Sequence, residues 1–312
     1  FFLKMSKKTR IKLFDKVFII GLGLIGSSIA HSIKKNQVAN EIIGFAKSEK
    51  TRKIAKNKKI VDTIVNKIGP KLSEADLIII CTPLSTYKKI FKLIKPFIKN
   101  SAIITDVGSA KSQSILEVES NEIEFIPAHP IAGTEQSGPN AGFAELFINR
   151  WCIITPTKHN KKKNINQIKK FWIALGCNIE VMTPERHDQI MAITSHLPHL
   201  IAYNIVSTAA DIENVTKSDV IKYSASGFRD FTRIASSDPT MWRDIMLQNK
   251  DSLLEVISRF SEDLSMLQKA IRWNDGDTLF KLFSKTRKIR NKIISAGQEV
   301  DLPDFGRSKK TK

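Results

Sequence analysis

Apolar residues recur in short, continuous runs along the first half of the chain, separated by polar or glycine-rich segments. Continuous runs rich in Ile, Val and Phe are typical of strands that are buried on both faces. We predict such strands at residues 16–21, 41–46, 76–82, 102–106, 125–129, 151–155 and 178–182. The stretch 24–35 between the first two predicts a helix. This alternation indicates an α/β fold with a mostly parallel sheet covered on both faces.

The pattern changes at Thr183-Pro184-Glu185. A Thr at the N-cap, a Pro at the first helical position and an acid in the first turn mark the start of a helix. Beyond it we predict only helices, the longest at 190–209, 247–273 and 278–294, with a kink at Pro198. We therefore expect an α/β domain over residues 1–183 and an all-α domain over residues 184–312.

Composition agrees with a globular protein of about two domains, since 42% of the 312 residues are hydrophobic and 26% are charged. Cys81, Cys152 and Cys177 lie in or beside apolar runs and lack the spacing of metal ligands. We expect reduced, buried thiols, no metal site and a cytoplasmic location. No apolar run reaches the roughly 18 residues of a membrane span, so we expect no membrane partner.

The chain is strongly basic, with 50 Lys and Arg against 31 Asp and Glu, a net charge of +19. Such an excess allows nucleic acid, an anionic membrane surface or small anionic ligands as partners. The lysines are spread along the whole chain instead of clustering with aromatic residues, which argues against nucleic acid. We expect most of them to be solvated and to help attract an anionic small molecule.

Gly21-Leu22-Gly23-Leu24-Ile25-Gly26 follows the first predicted strand and opens the first predicted helix. In this context GxGxxG is typical of a Rossmann-type dinucleotide site. Gly21 allows the tight turn, Gly23 lets the backbone approach the pyrophosphate, and Gly26 lets helix and strand pack closely. The helix start at Leu24 and Ile25 then presents free N–H groups to the phosphates.

Other predicted cofactor contacts lie at the ends of later strands, where ligands of parallel sheets bind. Ala46 stands where an NAD-binding fold has an acidic residue, followed by Lys47, Ser48 and Arg52, which suit a 2′-phosphate and favour NADP over NAD. Glu49 could still reach the ribose, and Lys47 could be one of many surface lysines, so NAD stays an alternative. The remaining predicted contacts are Cys81, Thr82, Pro83, Asp106 and Gly108.

Three segments hold the candidate chemistry: DVGSAK at 106–111, HPIAGTE at 129–135 and SHLPH at 195–199. His129 falls at the end of a predicted strand, on the ligand side of the sheet. A histidine there can take a proton from a substrate hydroxyl while hydride leaves the same carbon.

Together with GLGLIG at 21–26 and TRIASSDPTMWRDI at 232–245, these motifs resemble the prephenate and arogenate dehydrogenases of tyrosine biosynthesis, over about residues 15–290. That family oxidises a cyclohexadienol with loss of CO₂. The resemblance implies hydride transfer to NAD(P)+, conversion of prephenate to 4-hydroxyphenylpyruvate or of arogenate to tyrosine, and a homodimer formed through the helical domain. No residue decides between the two substrates.

The resemblance also implies residue roles. His129 matches the catalytic base and Ser109 the serine beside the hydroxyl and the nicotinamide. Arg233 matches the arginine that holds the ring carboxylate, and Glu135 an acid of the active-site gate. His199 matches a substrate-side histidine, which Asp188 is expected to orient. The predicted substrate-binding residues are Arg233, His199, His196, Glu135 and Trp242; for Trp242, packing in the core is an equal alternative.

The nearest alternative is a β-hydroxyacid dehydrogenase, which also joins a dinucleotide domain to a helical one. That group uses a Lys on a helix, with an Asn four residues further on. The corresponding region here offers His196, His199 and Asn204 but no such Lys.

Overall fold

Two β-sheets and the helices around them make up the part of the chain that the computed structural model describes, which is residues 12–119, 123–216 and 222–293. The strands are β1 (Phe14–Ile20), β2 (Ala39–Phe45), β3 (Thr63–Val65), β4 (Leu77–Ile80), β5 (Ile103–Asp106), β6 (Phe125–Ile126), β7 (Ala128–Pro130), β8 (Trp151–Ile154) and β9 (Asn178–Val181). The α-helices are α1 (Leu24–Asn36), α2 (Glu49–Asn57), α3 (Tyr87–Ile94), α4 (Ser112–Glu119), α5 (Lys162–Ala174), α6 (Pro184–Met191), α7 (Leu197–Thr216), α8 (Ser226–Thr232), α9 (Pro239–Gln248), α10 (Lys250–Arg272) and α11 (Gly276–Ile293).

The first sheet has six parallel strands in the described residues, in the order β3-β2-β1-β4-β5-β6. Both of its faces are buried. Along β1, Val17 and Ile19 belong to one hydrophobic cluster, while Phe18 and Ile20 belong to the other. The strand order reverses between β1 and β4, which opens a crevice at the carboxyl ends of the strands. The α/β prediction with a mostly parallel sheet is confirmed.

The last three strands form a separate sheet, which the sequence pattern did not predict. In it, β7 pairs antiparallel with β8, and β8 pairs parallel with β9. The run predicted as one strand at 125–129 divides at Pro127, which has no N–H for a sheet ladder. Strand β3 was also missed, because three half-buried residues carry little periodicity.

The helical region begins as predicted, since the Thr183 hydroxyl accepts a hydrogen bond from the Arg186 N–H and Pro184 occupies the first turn. Residues 190–209 are helical throughout, as predicted with a distortion at Pro198, but they do not form one continuous α-helix. A π-helical turn, Ala192–His196, separates α6 from α7. Pro198 cannot donate to the carbonyl four residues earlier, and a π-turn accommodates the missing bond. Likewise the helix predicted at 247–273 begins as α10, after α9 has ended at Gln248. Residue 294, where the last predicted helix ends, lies outside the described residues.

The chain divides into two compact units, Phe1–Leu254 and Glu255–Lys312. The first contains both sheets and the helices through α9. The second contains most of α10, and α11, whose exposed apolar side chains include Phe260, Leu264, Phe280 and Phe283. Among the described helices, none has the length and apolarity needed to cross a membrane.

Candidate active site

The turn between β1 and α1 requires two of its glycines. Gly21 has a φ of +102°, which side-chain-bearing residues rarely adopt. A Cβ at Gly26 would lie 1.9 Å from the Gly21 carbonyl oxygen, so any side chain there would force the turn open. The roles predicted for these two glycines, a tight turn and close helix packing, agree with this geometry.

The third glycine, Gly23, faces free space, since a Cβ there would meet nothing within 4 Å. It is the N-cap of α1, where no side chain caps the helix and no acidic residue lies in the first turn. The N–H groups at this end are therefore available to an anion, and the helix dipole favours one. These features fit the pyrophosphate of a dinucleotide. Leu24 and Ile25 contribute through their backbone, because their side chains pack on the core.

At the end of β2, Lys47 and Ser48 are exposed, as a contact with a cofactor would require. Ser48 also caps α2, since its hydroxyl accepts a hydrogen bond from the Thr51 N–H. Arg52 uses Nη1 to hold this loop, at 2.7 Å from the Ala46 carbonyl oxygen and 2.8 Å from that of Lys47. Lys47 and Ser48 thus lie in the loop between β2 and α2, and Arg52, near the start of α2, is bonded to that loop.

The loop after β4 lies against the glycine turn, because the position of a Gly21 Cβ is 2.5 Å from the Cys81 carbonyl oxygen and 3.0 Å from Thr82 Cγ2. Pro83 is exposed beside it. Burial raises the pKa of the Cys81 thiol, which is therefore neutral. Gly108, after β5, is packed equally tightly, with Leu84 and the Tyr87 hydroxyl within 3 Å of a Cβ built there.

Asp106 differs from the prediction that it binds the cofactor. Its carboxylate is fully buried and accepts hydrogen bonds from the Tyr87 hydroxyl, the Gly108 and Ala128 N–H groups and Lys111 Nζ. Its acceptor positions are engaged within the protein, so the carboxylate holds the loop in place and has no acceptor position left for a ligand. The sequence signal was misleading because a polar residue at the end of a strand serves either role.

Lys111 connects this carboxylate to the strand of the candidate base. Its buried Nζ lies 2.7 Å from Asp106 Oδ2 and donates to the carbonyl of Ala128, the residue before His129, at 2.6 Å. Burial lowers the pKa of Lys111, and the charge of Asp106 opposes that effect. Removing one partner of such a buried pair strongly destabilises a protein, because the other charge is left buried and unpaired. The position of β7 therefore depends on Lys111.

His129 belongs to a chain of buried polar groups. Its Nδ1 lies 2.9 Å from His187 Nε2, and His187 Nδ1 lies 2.8 Å from Asp188 Oδ1. The Asp188 carboxylate also accepts from the N–H groups of Lys111 and Ser112, at the start of α4. Burial alone would raise the pKa of Asp188, but hydrogen bonds from His187 and Ser112 outweigh it and hold the pKa below its usual value. The expectation that Asp188 orients His199 is wrong.

This environment keeps His129 neutral. Burial lowers its pKa well below the usual value, and the charges of His187, Lys111 and His196 act in the same direction. A neutral imidazole has one lone pair with which to accept a proton. Ser109 is half-buried in the loop after β5.

The remaining predicted substrate residues cluster around α7 and α9. The ring of His199 stacks on Trp242 with centroids 3.5 Å apart and planes 21° apart. His199 Nδ1 bonds the Ser195 carbonyl. Burial lowers the pKa of His199, and the charge of Arg233 contributes in the same direction. Arg233 is exposed and pairs with Glu135 at 3.4 Å, where it can reach an anion from solvent.

His196 does not lie at the surface of this cluster. It is fully buried, and its Nδ1 lies 3.0 Å from Nδ2 of Asn249. The sequence pattern missed the roles of His187 and Asn249. His187 carried a weak signal, since it precedes an acidic residue just after a helix start. Asn249 carried none, because it reaches the site only through the packing of α9.

A dinucleotide turn on a Rossmann-type sheet and a buried neutral histidine on β7 of the second sheet, where the sequence pattern predicted the ligand side of the first sheet, define a nicotinamide-dependent oxidoreductase. Comparison with known proteins identifies the family. Residues 29–181 match the model of the prephenate dehydrogenase nucleotide-binding domain, and residues 183–285 match that of the prephenate dehydrogenase dimerization domain. The chain belongs to the prephenate dehydrogenase family.

Individual relatives agree. The cyclohexadienyl dehydrogenase of Zymomonas mobilis is 39% identical over 279 residues, which cover 89% of this chain and 95% of that protein. A crystal structure of Aquifex aeolicus prephenate dehydrogenase with hydroxyphenyl propionate and NAD+ superposes with a TM-score of 0.85 at 33% identity, covering 89% of this chain and 98% of that one. The crystal structure of Synechocystis arogenate dehydrogenase superposes with a TM-score of 0.75 at 27% identity, covering 89% of this chain and 99% of that one. These matches decide against the β-hydroxyacid dehydrogenase alternative.

Proposed function

We propose that the protein oxidises and decarboxylates prephenate or arogenate, with His129 as the general base. The observation that carries this proposal is the chain His129–His187–Asp188, in which Asp188 also accepts a hydrogen bond from Lys111, at the end of the loop that contains Ser109. The products are 4-hydroxyphenylpyruvate from prephenate and tyrosine from arogenate.

The hydrogen-bond chain fixes which nitrogen of His129 is basic. An ionised carboxylate only accepts, so His187 carries its proton on Nδ1 and presents the lone pair of Nε2 to His129. His129 must then donate from Nδ1, which leaves its own Nε2 as the lone pair. That nitrogen takes the proton of the ring hydroxyl, and the Asp188 charge stabilises the imidazolium through His187.

When bound, a nicotinamide cofactor supplies the ring carbon that accepts the hydride from the hydroxyl-bearing carbon of the substrate. Ser109 is proposed to hydrogen-bond the substrate hydroxyl next to His129. Departure of CO₂ leaves its bonding electron pair in the ring, which becomes aromatic. Since aromatisation makes the step favourable, the protein mainly has to orient the ring and remove one proton.

Cations at the pocket bind the carboxylates of the substrate. Arg233 can grip a carboxylate with two parallel N–H bonds, because its guanidinium is exposed and forms a single ion pair, with Glu135, in the part of the chain that the structure describes. Separating the Glu135 pair exposes this cation, as a gate would. His199, stacked on Trp242, is proposed to contact the side chain of the substrate.

For the cofactor, we infer a preference for NADP. Ala46 replaces the carboxylate that would bind a ribose 2′-OH, and Lys47, Ser48 and Arg52 lie together where a 2′-phosphate would be. The Aquifex relative was crystallised with NAD+, so the preference needs its own measurement. We expect a lower KM for NADP than for NAD; equal or reversed values would contradict the inference.

We also propose a cytoplasmic homodimer. Residues 1–183 bind the dinucleotide, and residues 184–312 complete the substrate pocket and form the dimer. Exposed apolar side chains along α10 and α11 support such an interface, and the three free thiols suit a reducing compartment. Light scattering of the purified full chain tests the dimer; a monomer at micromolar concentration would contradict it.

Initial-rate assays with both substrates and both cofactors test the activity. We expect reduction of the nicotinamide, followed at its absorbance band, together with release of an equal amount of CO₂ from prephenate or arogenate. Turnover of neither substrate with either cofactor would disprove the function, whereas the ratio of the kcat/KM values identifies the preferred pair.

A further inference from the structure

His196 is buried with one ring nitrogen left unpaired. Its Nδ1 lies 3.0 Å from Asn249 Nδ2, whereas its Nε2 has no hydrogen-bond partner among the described residues. The backbone of Ser109 lies beside the ring and raises the pKa of His196 as a weak acceptor, but it does not satisfy Nε2 with a well-aligned hydrogen bond. A buried polar atom without a partner costs free energy, which a ligand atom at this position would recover.

The orientation of Asn249 decides which tautomer His196 adopts. Asn249 Nδ2 also lies 2.8 Å from the backbone oxygen of Asp188. A carbonyl oxygen only accepts, so the amide must present its NH₂ group there. The second N–H of that group points to His196 Nδ1, which has to supply the lone pair. The proton of the neutral ring is then on Nε2.

Two buried histidines thus have opposite tautomers, and both are set by Asp188. Its carboxylate acts through His187 and leaves a lone pair on His129, while its backbone carbonyl acts through Asn249 and leaves an N–H on His196. We propose that Asn249 is a positioning residue that fixes His196 as a hydrogen-bond donor, with Nε2–H directed at an acceptor oxygen of the bound substrate or cofactor beside Ser109. That the acceptor belongs to a substrate or a cofactor rests on the proposed function, whereas the tautomer of His196 does not.

The groups around His196 leave the ring uncharged. Asp188 and His187 face it from α6, His199 from α7 and His129 from β7. Burial lowers the pKa of His196 to about 4, and the charge of Asp188 offsets only part of this effect. At neutral pH the tautomer alone determines what the ring can do.

Asn249→Asp tests this role, because a carboxylate of nearly the same shape can only accept. It favours a proton on Nδ1 and loses the bond to the Asp188 carbonyl. We expect kcat to fall roughly tenfold, the scale of one hydrogen bond, and the pH profile of kcat to gain an ionisation nearer the ordinary histidine range. The matched control is Asn160→Asp, because Asn160 donates to the Phe125 carbonyl at 2.8 Å and accepts from the Thr157 N–H, outside the hydrogen-bond network that the structure describes around the site histidines. The control should lower stability without moving the pH profile.

Nitrogen NMR of the full-length protein, labelled at histidine, reads the tautomer without any assay of activity. We expect wild-type His196, assigned from the signals lost in His196→Gln, to be protonated on Nε2, and Asn249→Asp to protonate Nδ1. A wild-type ring protonated on Nδ1, or an Asn249→Asp variant with an unchanged tautomer and pH profile, would overturn the proposal. If wild type turns over neither substrate, the proposed function fails while this result stands.

A second pair of variants identifies the acceptor. Gln can place an N–H near the Nε2 position, so His196→Gln should retain more activity than His196→Leu. A rise in substrate KM for His196→Leu assigns the oxygen to the substrate, and a rise in the dissociation constant of the cofactor assigns it to the cofactor. Equal activity of the two variants, with neither constant changed from wild type, would exclude a donor role.

Discussion

Nδ1 of His129 lies 2.9 Å from Nε2 of His187, so the candidate base is held by a second histidine and not directly by a carboxylate. Asp188 acts one residue further away, where two backbone N–H groups hold its charge. The base can therefore be buried and still have a defined tautomer.

Replacing His129 by Asn should lower kcat by roughly 10²–10⁴-fold, as expected for loss of a general base. KM should change little, because proton removal acts in the transition state. Initial rates over a range of substrate concentrations measure both. Exposed His159 gives the matched control, His159→Asn, which should behave like wild type. Near-normal kcat in His129→Asn would mean that another group is the base.

Replacing Asp188 by Asn tests the chain beyond the base. The Asn side chain has one acceptor oxygen where Asp188 offers two to the donors His187, Lys111 and Ser112. At least one of these donors would then face the NH₂ group of the new amide, which cannot accept a hydrogen bond. We expect a roughly 10²–10⁴-fold fall in kcat and about 1–3 kcal/mol less stability. Circular dichroism at the assay temperature separates the two effects. A folded variant with wild-type kcat would show that His129 needs no such chain.

The buried histidines predict how stability depends on pH. Burial lowers the pKa of His129, His187, His196 and His199 in the folded protein. Below about pH 6.5 the unfolded chain therefore binds more protons than the folded protein does. The free energy of unfolding contributed by these neutral histidines is fully present above that pH and decreases as the pH falls. Each histidine that stays neutral in the folded protein at pH 5.5 lowers the free energy of unfolding by up to about 1.4 kcal/mol relative to neutral pH. Urea unfolding at pH 7.5, 6.5 and 5.5 measures this; unchanged or greater stability at pH 5.5 would contradict it.

Substituting two glycines of the turn between β1 and α1, one at a time, should have different effects on thermal stability and on cofactor binding. Gly26→Ala places a Cβ 1.9 Å from the Gly21 oxygen and should lower the melting temperature. A Cβ at Gly23 meets nothing within 4 Å, so Gly23→Ala should lower the melting temperature much less than Gly26→Ala, by no more than the loss of a glycine N-cap. Its methyl group occupies the space of the pyrophosphate and should raise the cofactor KM roughly tenfold or more. If Gly23→Ala binds the cofactor normally, the phosphates lie elsewhere.

Arg233→Ala should raise the substrate KM by roughly 10–10²-fold, the range of a charge-assisted hydrogen bond. The melting temperature should stay the same, because a surface pair such as Arg233–Glu135 contributes less than about 1 kcal/mol. Arg229→Ala is the control, because Arg229 is an exposed arginine on α8, four residues before Arg233. An equal rise in KM for both variants would indicate a general effect of charge instead of a specific contact.

The first sheet could be predicted because its signal is local. A strand segment buried on both faces must be continuously apolar, as β4 and residues 17–20 of β1 are, and a glycine turn of fixed spacing follows β1. The second sheet could not be predicted, since an apolar run does not state whether its neighbour is parallel or antiparallel. The π-turn before Pro198 depends likewise on packing, although Pro198 itself indicated a distortion.

Sequence alone determined the class of fold, the glycine turn and the family, and it singled out His129 as the candidate base, because each rests on residue types at short spacing. Tertiary structure decided what surrounds that base. Asp106, expected at the cofactor, is buried on Lys111, and Asp188, expected at His199, sets His187 instead. Asn249, more than 50 positions from His196, fixes its tautomer. Hydrogen bonds between distant segments leave no local pattern, so only the folded chain shows which polar groups are paired.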